Sequence, residues 1–493
     1  MQKVVVIGAG FSSLAAAAFL AKAGYEVTVL EKNSMSGGRA QHYTADGFTF
    51  DMGPSWYWMP DVFEHFFQQF GYQVSDFYQL KRLDPSYEVV WSKEESWTIP
   101  AGTKALGHFL EQYESGAGQS LDRFIKQAGV KYSIAMADMV KKPSVKWTEF
   151  LQLKLLTGLF QLDLFSSMKG HVAKHFTSTR IKQLFEFPVL FLGASAGQIP
   201  ALYSLMNYAD VALGTWYPMG GFLEIAKAMQ QVAEKQGVQF KFNEGVSGFE
   251  YEGDRITRVK TAHASYEADL IVSGADYHFT EQLLPQALRS YSEAYWDKRV
   301  LAPSCLLYYI GLDCKLPDSV KHHTLFFDTD FQTHDKEIYE TPKMPSDPLF
   351  YMCCPSKTDP SVAPEGKENL FLLIPIAPGL TNDDEATRER YFDELCARIA
   401  NKFGVDIKPH IIHKRSFSSS NFKMEYNSFK GNAYGLANTL MQTAVLKPKI
   451  KSKKVSNLYY TGQLTVPGPG VPPSLISGEL VAQFIQQEIP STK

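Results

Sequence analysis

The first thirty-one residues constrain this chain more than any other stretch. Val4-Val5-Val6-Ile7 is a short apolar run of the kind that forms a buried parallel strand. It breaks into Gly8-Ala9-Gly10-Phe11-Ser12-Ser13-Leu14, and an alanine-rich helix is predicted to follow. A second strand, Glu26-Val27-Thr28-Val29-Leu30, ends at Glu31. Strand, glycine turn, helix and strand together make the βαβ pattern of dinucleotide binding. Gly8 permits the tight turn and Gly10 lets a pyrophosphate approach the backbone. The helix beginning at Phe11 and Ser12 offers free N–H groups and its positive end to that phosphate. Ser13 stands where a third glycine is usual. It is small, so close packing of helix on strand is expected to survive. Glu31, about 20 residues on, is placed to accept bonds from a ribose hydroxyl, which disfavours a 2′-phosphate and therefore NADP.

Gly37-Gly38-Arg39 follows the ribose carboxylate closely. In that position it points to FAD rather than NAD. Its glycines let the chain pass close to a cofactor, and Arg39 sets a fixed charge near the pyrophosphate or flavin. The bland alternative is an ordinary loop with a surface arginine. Further on, Phe50-Asp51-Met52-Gly53-Pro54-Ser55 runs into Trp56-Tyr57-Trp58. There Asp51 is read as anchoring the turn through its backbone only, and the aromatics either fill core or face a substrate. Near the C-terminus Leu458–Thr461 reads as a strand. It leads through Gly462-Gln463 and a rigid Gly/Pro loop, Pro467 to Pro473, into a helix from Ser474 to Glu488. That helix's N-terminus can face anionic flavin or phosphate groups.

Between these ends, residues 61–75 show helical spacing of Val62, Phe63, Phe66, Phe67 and Phe70. Residues 86–100 alternate as short strands. From 104 to 215 the pattern is mostly helical, clearest over Tyr113–Ala135, Trp147–Phe165 and Ser178–Phe191. Gly220-Gly221 then opens a helix over Phe222–Gln236. Strands are predicted at Val238–Phe242, Val246–Tyr251, Ile256–Thr261, Leu270–Val272, 303–312 and 368–376, and a helix at Ala386–Phe403.

Composition narrows the function. The 493 residues are 45% hydrophobic and 20% charged, which marks a folded chain. A net charge of -3, with no basic face alternating with aromatics, gives no reason to bind nucleic acid. The five cysteines are odd in number and include no CxxC pair, so a reducing compartment and no disulfide framework are expected. Cys353 and Cys354 read as small buried hydrophobes. Aromatics make up 13%, which suits a large core or a large apolar cavity. The apolar N-terminus runs straight into a glycine turn, so a strand is expected there and no signal peptide. No transmembrane helix is expected either. Leu151–Phe165, interrupted by Lys154 and Asp163, reads as an amphipathic or buried helix, or as one dipping into a membrane surface. His171 and His175 are four residues apart but have no third ligand in view, so no metal is expected. Lys447–Lys454 reads as a solvated basic loop, with attraction to anionic lipid as the alternative.

These motifs occur in an order that resembles the bacterial-type phytoene desaturases, within the wider amine-oxidase-like flavoprotein superfamily. The fingerprint, Gly-Gly-Arg, Phe-Asp-Met-Gly-Pro-Ser, Tyr217-Pro218-Met219-Gly220-Gly221 and the C-terminal loop all carry the resemblance, which spans essentially the whole chain. It implies an α/β fold with a split Rossmann-like FAD-binding domain and an interleaved mixed α+β substrate domain carrying a helical insert. The FAD domain would take residues 1–79, 216–300 and 421–493, and the substrate domain 80–103 and 301–420. The insert would be 104–215, facing substrate or membrane. FAD contacts are implied at Gly8, Gly10, Phe11, Ser12, Glu31, Lys32, Gly38, Arg39, Gly53 and Pro54. Further contacts are implied at Val246, which flanks the adenine, at Asp276, and at Gly462, Val471, Pro472 and Ser474.

The implied activity is successive dehydrogenation of phytoene to lycopene, with a long apolar polyene as substrate. The alternatives are a later carotenoid such as γ-carotene or a hydroxycarotenoid, a redox-neutral isomerase, and a non-enzymatic lipid-binding protein of the same fold. With one dinucleotide fingerprint visible, oxygen or a membrane quinone is the expected electron acceptor. An oily substrate implies peripheral contact with a membrane, on its cytoplasmic side. No residue is identified as the proton acceptor.

Overall fold

The computed structural model describes residues 1–144, 163 and 165–491. Its first sheet is parallel throughout, in the order Leu458–Tyr460, Leu270–Ser273, Lys3–Ile7, Glu26–Leu30, Gln239–Lys241. Three distant stretches of chain therefore meet around the N-terminal strand. Val5 pairs with Thr28 on one side and Ile271 on the other, and Ile271 pairs with Leu458. The N-terminal strand is apolar because both of its faces are covered. On one face the helix Phe11–Lys22 packs between Val471–Glu488 and Leu223–Lys235. Ala15 to Ala18 are fully buried there and keep the helices close. On the other face lies a three-stranded antiparallel sheet, Val246–Glu252, Arg255–Thr261 and Ser265–Glu267, whose Phe249, Ile256 and Val259 pack against Val5, Ile7 and Ile271.

A seven-stranded sheet stands opposite the cofactor-side turns. Its order is Ile411–Phe417, Ser304–Leu312, Glu368–Ile376, Phe350–Cys353, His323–Phe326, Tyr87–Val90, Ser96–Ile99. All neighbours are antiparallel except His323–Phe326 and Tyr87–Val90, which run parallel. Alternation sorts its side chains. Leu306, Tyr308, Leu372 and Ile374 pack under the helix Glu385–Phe403. Leu307, Leu373, Tyr351 and Leu325 form a cross-strand row on the opposite face.

Several boundaries differ from the sequence expectations, each for a local reason. The helix expected over Tyr113–Ala135 begins at Ala117, because Gly116 has φ +80°, and a separate helix Thr103–Leu110 precedes it. The helix expected to reach Phe191 ends at Glu186 and tightens into a 3₁₀ turn through Pro188. The last helix begins at Val471 rather than Ser474. Pro472 and Pro473 fall in its first turn, where the missing N–H has no helical partner to lose. Lys447 is buried, and burial pulls its ammonium down to about 7, so the basic run is not uniformly solvated. Of the helix expected over Trp147–Phe165 and the membrane-dipping stretch Leu151–Phe165, only Asp163 and Phe165 are among the described residues, both in turns, and the rest lies outside them. No helix among the described residues is long and apolar enough to cross a membrane.

Candidate active site

A cavity of about 400 Å³ lies at the carboxyl ends of the parallel strands, where open α/β sheets bind their ligands. Gly8, Gly10, Phe11 and Ser12 line it from the first turn, and Glu31 and Lys32 from the end of the second strand. Gly38, Arg39, Gly53 and Pro54 line it from the loops that follow. Val246, Asp276, Gly462, Val471 and Ser474 reach the same cavity from remote parts of the chain. Of the implied contacts only Pro472 stands outside the lining, one step into the last helix.

The cavity suits FAD on several independent grounds. Two helix N-termini at the cavity, at Phe11 and Val471, are each preceded by a glycine and carry no side-chain cap. Their first N–H groups are left for a ligand. Gly38 has φ +58°, and a Cβ on it would lie 3.2 Å from Gly10 Cα, so any side chain there closes the passage between the two loops. The Arg39 guanidinium donates to Ser428 Oγ at 3.1 Å, while its buried Nε has no partner. Burial pulls its pKa down and the nearby Asp276 carboxylate holds it up. Such a cation is matched by a pyrophosphate. Glu31 accepts from Ala9 N at 2.7 Å and Asn33 N at 2.8 Å, which fixes the carboxylate and leaves lone pairs for a ribose. Burial pushes its pKa up, and the two N–H groups hold it down. Ser13 Oγ fills the space that a Cβ on Gly274 would take, so a serine is accommodated where the third glycine is usual.

Asp276 has a second task. Its Oδ1 caps the helix Tyr277–Gln282 by accepting from Phe279 N at 3.2 Å, and its Oδ2 accepts from Phe429 N at 3.0 Å. Asp51 works outside the cavity. Its carboxylate accepts from Phe222 N at 3.0 Å and fits against Gly221, whose φ of +93° and missing side chain make room for it. That contact ties Phe-Asp-Met-Gly-Pro-Ser to the Met-Gly-Gly turn. Burial pushes the Asp51 pKa up to about 7. The aromatic triplet divides: Tyr57 is core, stacked on Phe63, whereas Trp56 stacks on His323 in the seven-stranded sheet. His171 is buried against Phe124 beside His175. His322, His323 and Cys353 bring three donor atoms within 4.8 Å of one another. There the two imidazoles already bond Thr358 and Tyr351 through Nδ1, and burial keeps them neutral.

Sequence reasoning missed the far wall. Cys305, Leu307 and Leu373 come from strands of the seven-stranded sheet, Phe422 and Tyr426 from the helix Ser419–Tyr426, and Tyr434 from a loop. None belongs to a motif. The apolar strands gave only a general signal of burial. A second cavity of about 70 Å³ adjoins the first and shares Leu373 and Tyr434 with it. Its lining is largely apolar and aromatic, including Phe187, Leu325, Phe327 and Tyr351.

A parallel sheet with glycine turns, a half-buried arginine and an apolar annex fits a dinucleotide-binding flavoprotein. Residues 11–486 match the flavin-containing amine oxidoreductase family. The chain is similar to a carotenoid 3,4-desaturase from Haloarcula japonica, 39% identical over 99% of both chains. It is also similar to a zeta-carotene-forming phytoene desaturase from Myxococcus xanthus, 31% identical over 98% of this chain and 93% of that one. Its fold matches an oxidoreductase from Methanosarcina mazei with a TM-score of 0.63 at 17% identity, covering 98% of this chain and all of the other. The chain therefore belongs to the carotenoid desaturase family of the amine-oxidase-like flavoproteins. It is an enzyme that uses FAD to oxidise CH–CH bonds.

Proposed function

We propose that this protein desaturates a carotenoid, with the chain end of the polyene lodged in the small cavity beside the cofactor site. The observation that carries this is that the two cavities share Leu373 and Tyr434 in their linings, which sets the apolar annex directly beside the cofactor site. A hydrocarbon has no hydrogen-bonding handle, so shape and apolar burial must select it. The annex supplies that surface and excludes water from the reacting bond. Bound FAD supplies a hydride acceptor, and the protein supplies position and a dry site. The short annex and the 39% identity to a 3,4-desaturase favour a bond near one end of the chain. Conversion of phytoene to lycopene is the second candidate; the 31% identity to a zeta-carotene-forming phytoene desaturase supports phytoene as the substrate.

The substrate's insolubility implies peripheral contact with a membrane. Val300, Leu440 and Met441 are 45%, 41% and 72% exposed. Gln442 bonds both the N–H and the C=O of Val300, which brings these residues into one neighbourhood. Oxygen or a membrane quinone would then reoxidise the flavin.

The test is a product panel. FAD-loaded protein in liposomes is given phytoene, γ-carotene, lycopene and a hydroxylated carotene separately, and products are read by chromatography and mass. Loss of two hydrogens from a terminal segment supports the first candidate, and stepwise conversion of phytoene the second. No product from any of them, with the flavin shown to be reducible, overturns both.

A further inference from the structure

The register of the seven-stranded sheet sets Leu307, Leu373, Tyr351 and Leu325 side by side. Leu307 and Leu373 line the cofactor cavity, and Leu373 and Tyr351 line the annex. Neighbouring strands are about 4.8 Å apart. Tyr351 thus stands one strand beyond the residue that touches both cavities, and it is the polar member of the row. Its hydroxyl donates to Ser55 Oγ at 2.9 Å and lies 2.7 Å from Nδ1 of His323. Ser55 directly follows the Gly53-Pro54 turn of the cofactor cavity. His323 is fully buried, and its Nε2 has no partner. Trp56 lies flat on its ring, with centroids 4.2 Å apart and planes 10° from parallel. An indole face is the apolar surface on which a cation is best tolerated. Tyr351 therefore stands between the apolar annex and a neutral imidazole already stacked on an indole.

We propose that Tyr351 and His323 form the proton acceptor of the desaturation, with Tyr351 the catalytic residue against the substrate and His323 the positioning residue behind it. The proposal rests on the carotenoid reading above. Removing two hydrogens from a C–C bond takes one hydride and one proton. FAD held by the turn at Gly10, by Glu31 and by Arg39 would supply the two-electron oxidant that takes the hydride with its electron pair. The carbon left electron-poor makes the adjacent C–H strongly acidic, and the electrons of that C–H become the new double bond. Its proton goes to Tyr351 Oη as the tyrosine O–H, turned from Ser55 Oγ toward His323, passes its own proton to Nδ1, in the tautomer that carries its hydrogen on Nε2. The imidazolium so formed rests on Trp56 until the product leaves. The acceptor is neutral, and a strong carbon acid asks no more of it than a weakly basic imidazole provides.

The test mixes FAD-loaded protein with its carotenoid anaerobically in liposomes and follows flavin bleaching and product. Tyr351→Phe is expected to slow product formation about 100-fold or more, in the range of general-base catalysis. FAD content, flavin spectrum and carotenoid binding should stay at wild-type values. His323→Gln should give a smaller loss. Substrate deuterated at the carbon that loses the proton should slow both variants more than wild type, because proton removal becomes limiting. A merely structural role does not move that isotope effect. Should Tyr351→Phe lose its flavin, His323→Gln carries the same isotope test. An active wild type with wild-type rate and isotope effect in these variants overturns this proposal alone. A wild type inactive on every carotenoid overturns both the proposal and the carotenoid reading beneath it.

Discussion

The cofactor cavity and the annex beside it are built on opposite logics. The near wall of the first is made of turns: glycines and uncapped helix ends, with the charged side chains of Glu31 and Arg39 beside them. The second is made of side chains from one sheet face and its neighbouring helices, with apolar contact dominating. A phosphate and a ribose demand particular atoms at particular places, whereas a hydrocarbon demands only room of the right shape. Damage to the first should therefore remove the flavin. Damage to the second should leave the flavin in place and remove the activity.

Substitutions can break that contrast, beginning with the largest expected effect. Gly38→Val puts a branched side chain at φ +58° and against Gly10. It should give colourless protein, read as loss of the flavin absorbance on purification. Leu373→Trp, at the junction of the cavities, should keep its FAD but lose about 100-fold or more in product rate, as misplacement of a bound substrate does. A matching loss of flavin in that variant would deny that the two regions are separable. Glu31→Gln keeps the shape and loses the charge, so FAD affinity should fall by about 10- to 100-fold, the worth of a charged hydrogen bond. Titration of the apoprotein with FAD measures it.

The smallest effect is on stability and concerns neither cavity. Burial raises the Asp51 pKa from 3.8 to about 7, so the folded state holds a proton that the unfolded chain releases. Stability should then decline as pH rises from about 4 to about 7, by about 3 kcal/mol. Asp51→Asn keeps an acceptor for Phe222 N and cannot ionise. Its melting temperature should change less over that window, so the variant gains on wild type toward pH 8.

The same contrast governs what the amino-acid sequence reveals. Val4–Ile7, the glycines, Glu31 and Arg39 were legible because a dinucleotide needs those residue types at that spacing. Asp276 and Gly462 followed only through resemblance, since nothing local says that their strands join Lys3–Ile7. The start of the last helix was misplaced because Pro472-Pro473 reads as a loop until a first turn accommodates it. The far wall was silent. Leu307 and Leu373 look like any buried strand residues, and their meeting depends on a pairing between strands 66 residues apart. The partnership of Tyr351 with His323 and Trp56 joins three separate segments and leaves no pattern in any of them.

The central claim is that one protein holds FAD at the parallel sheet and oxidises a carotenoid beside it. A single anaerobic turnover tests it directly: FAD-loaded protein, carotenoid-bearing liposomes, and simultaneous reading of flavin absorbance and carotenoid mass. One equivalent of flavin should bleach as one equivalent of carotenoid loses two hydrogens. Flavin that dithionite reduces but no carotenoid bleaches, with every carotenoid recovered unchanged, would contradict it.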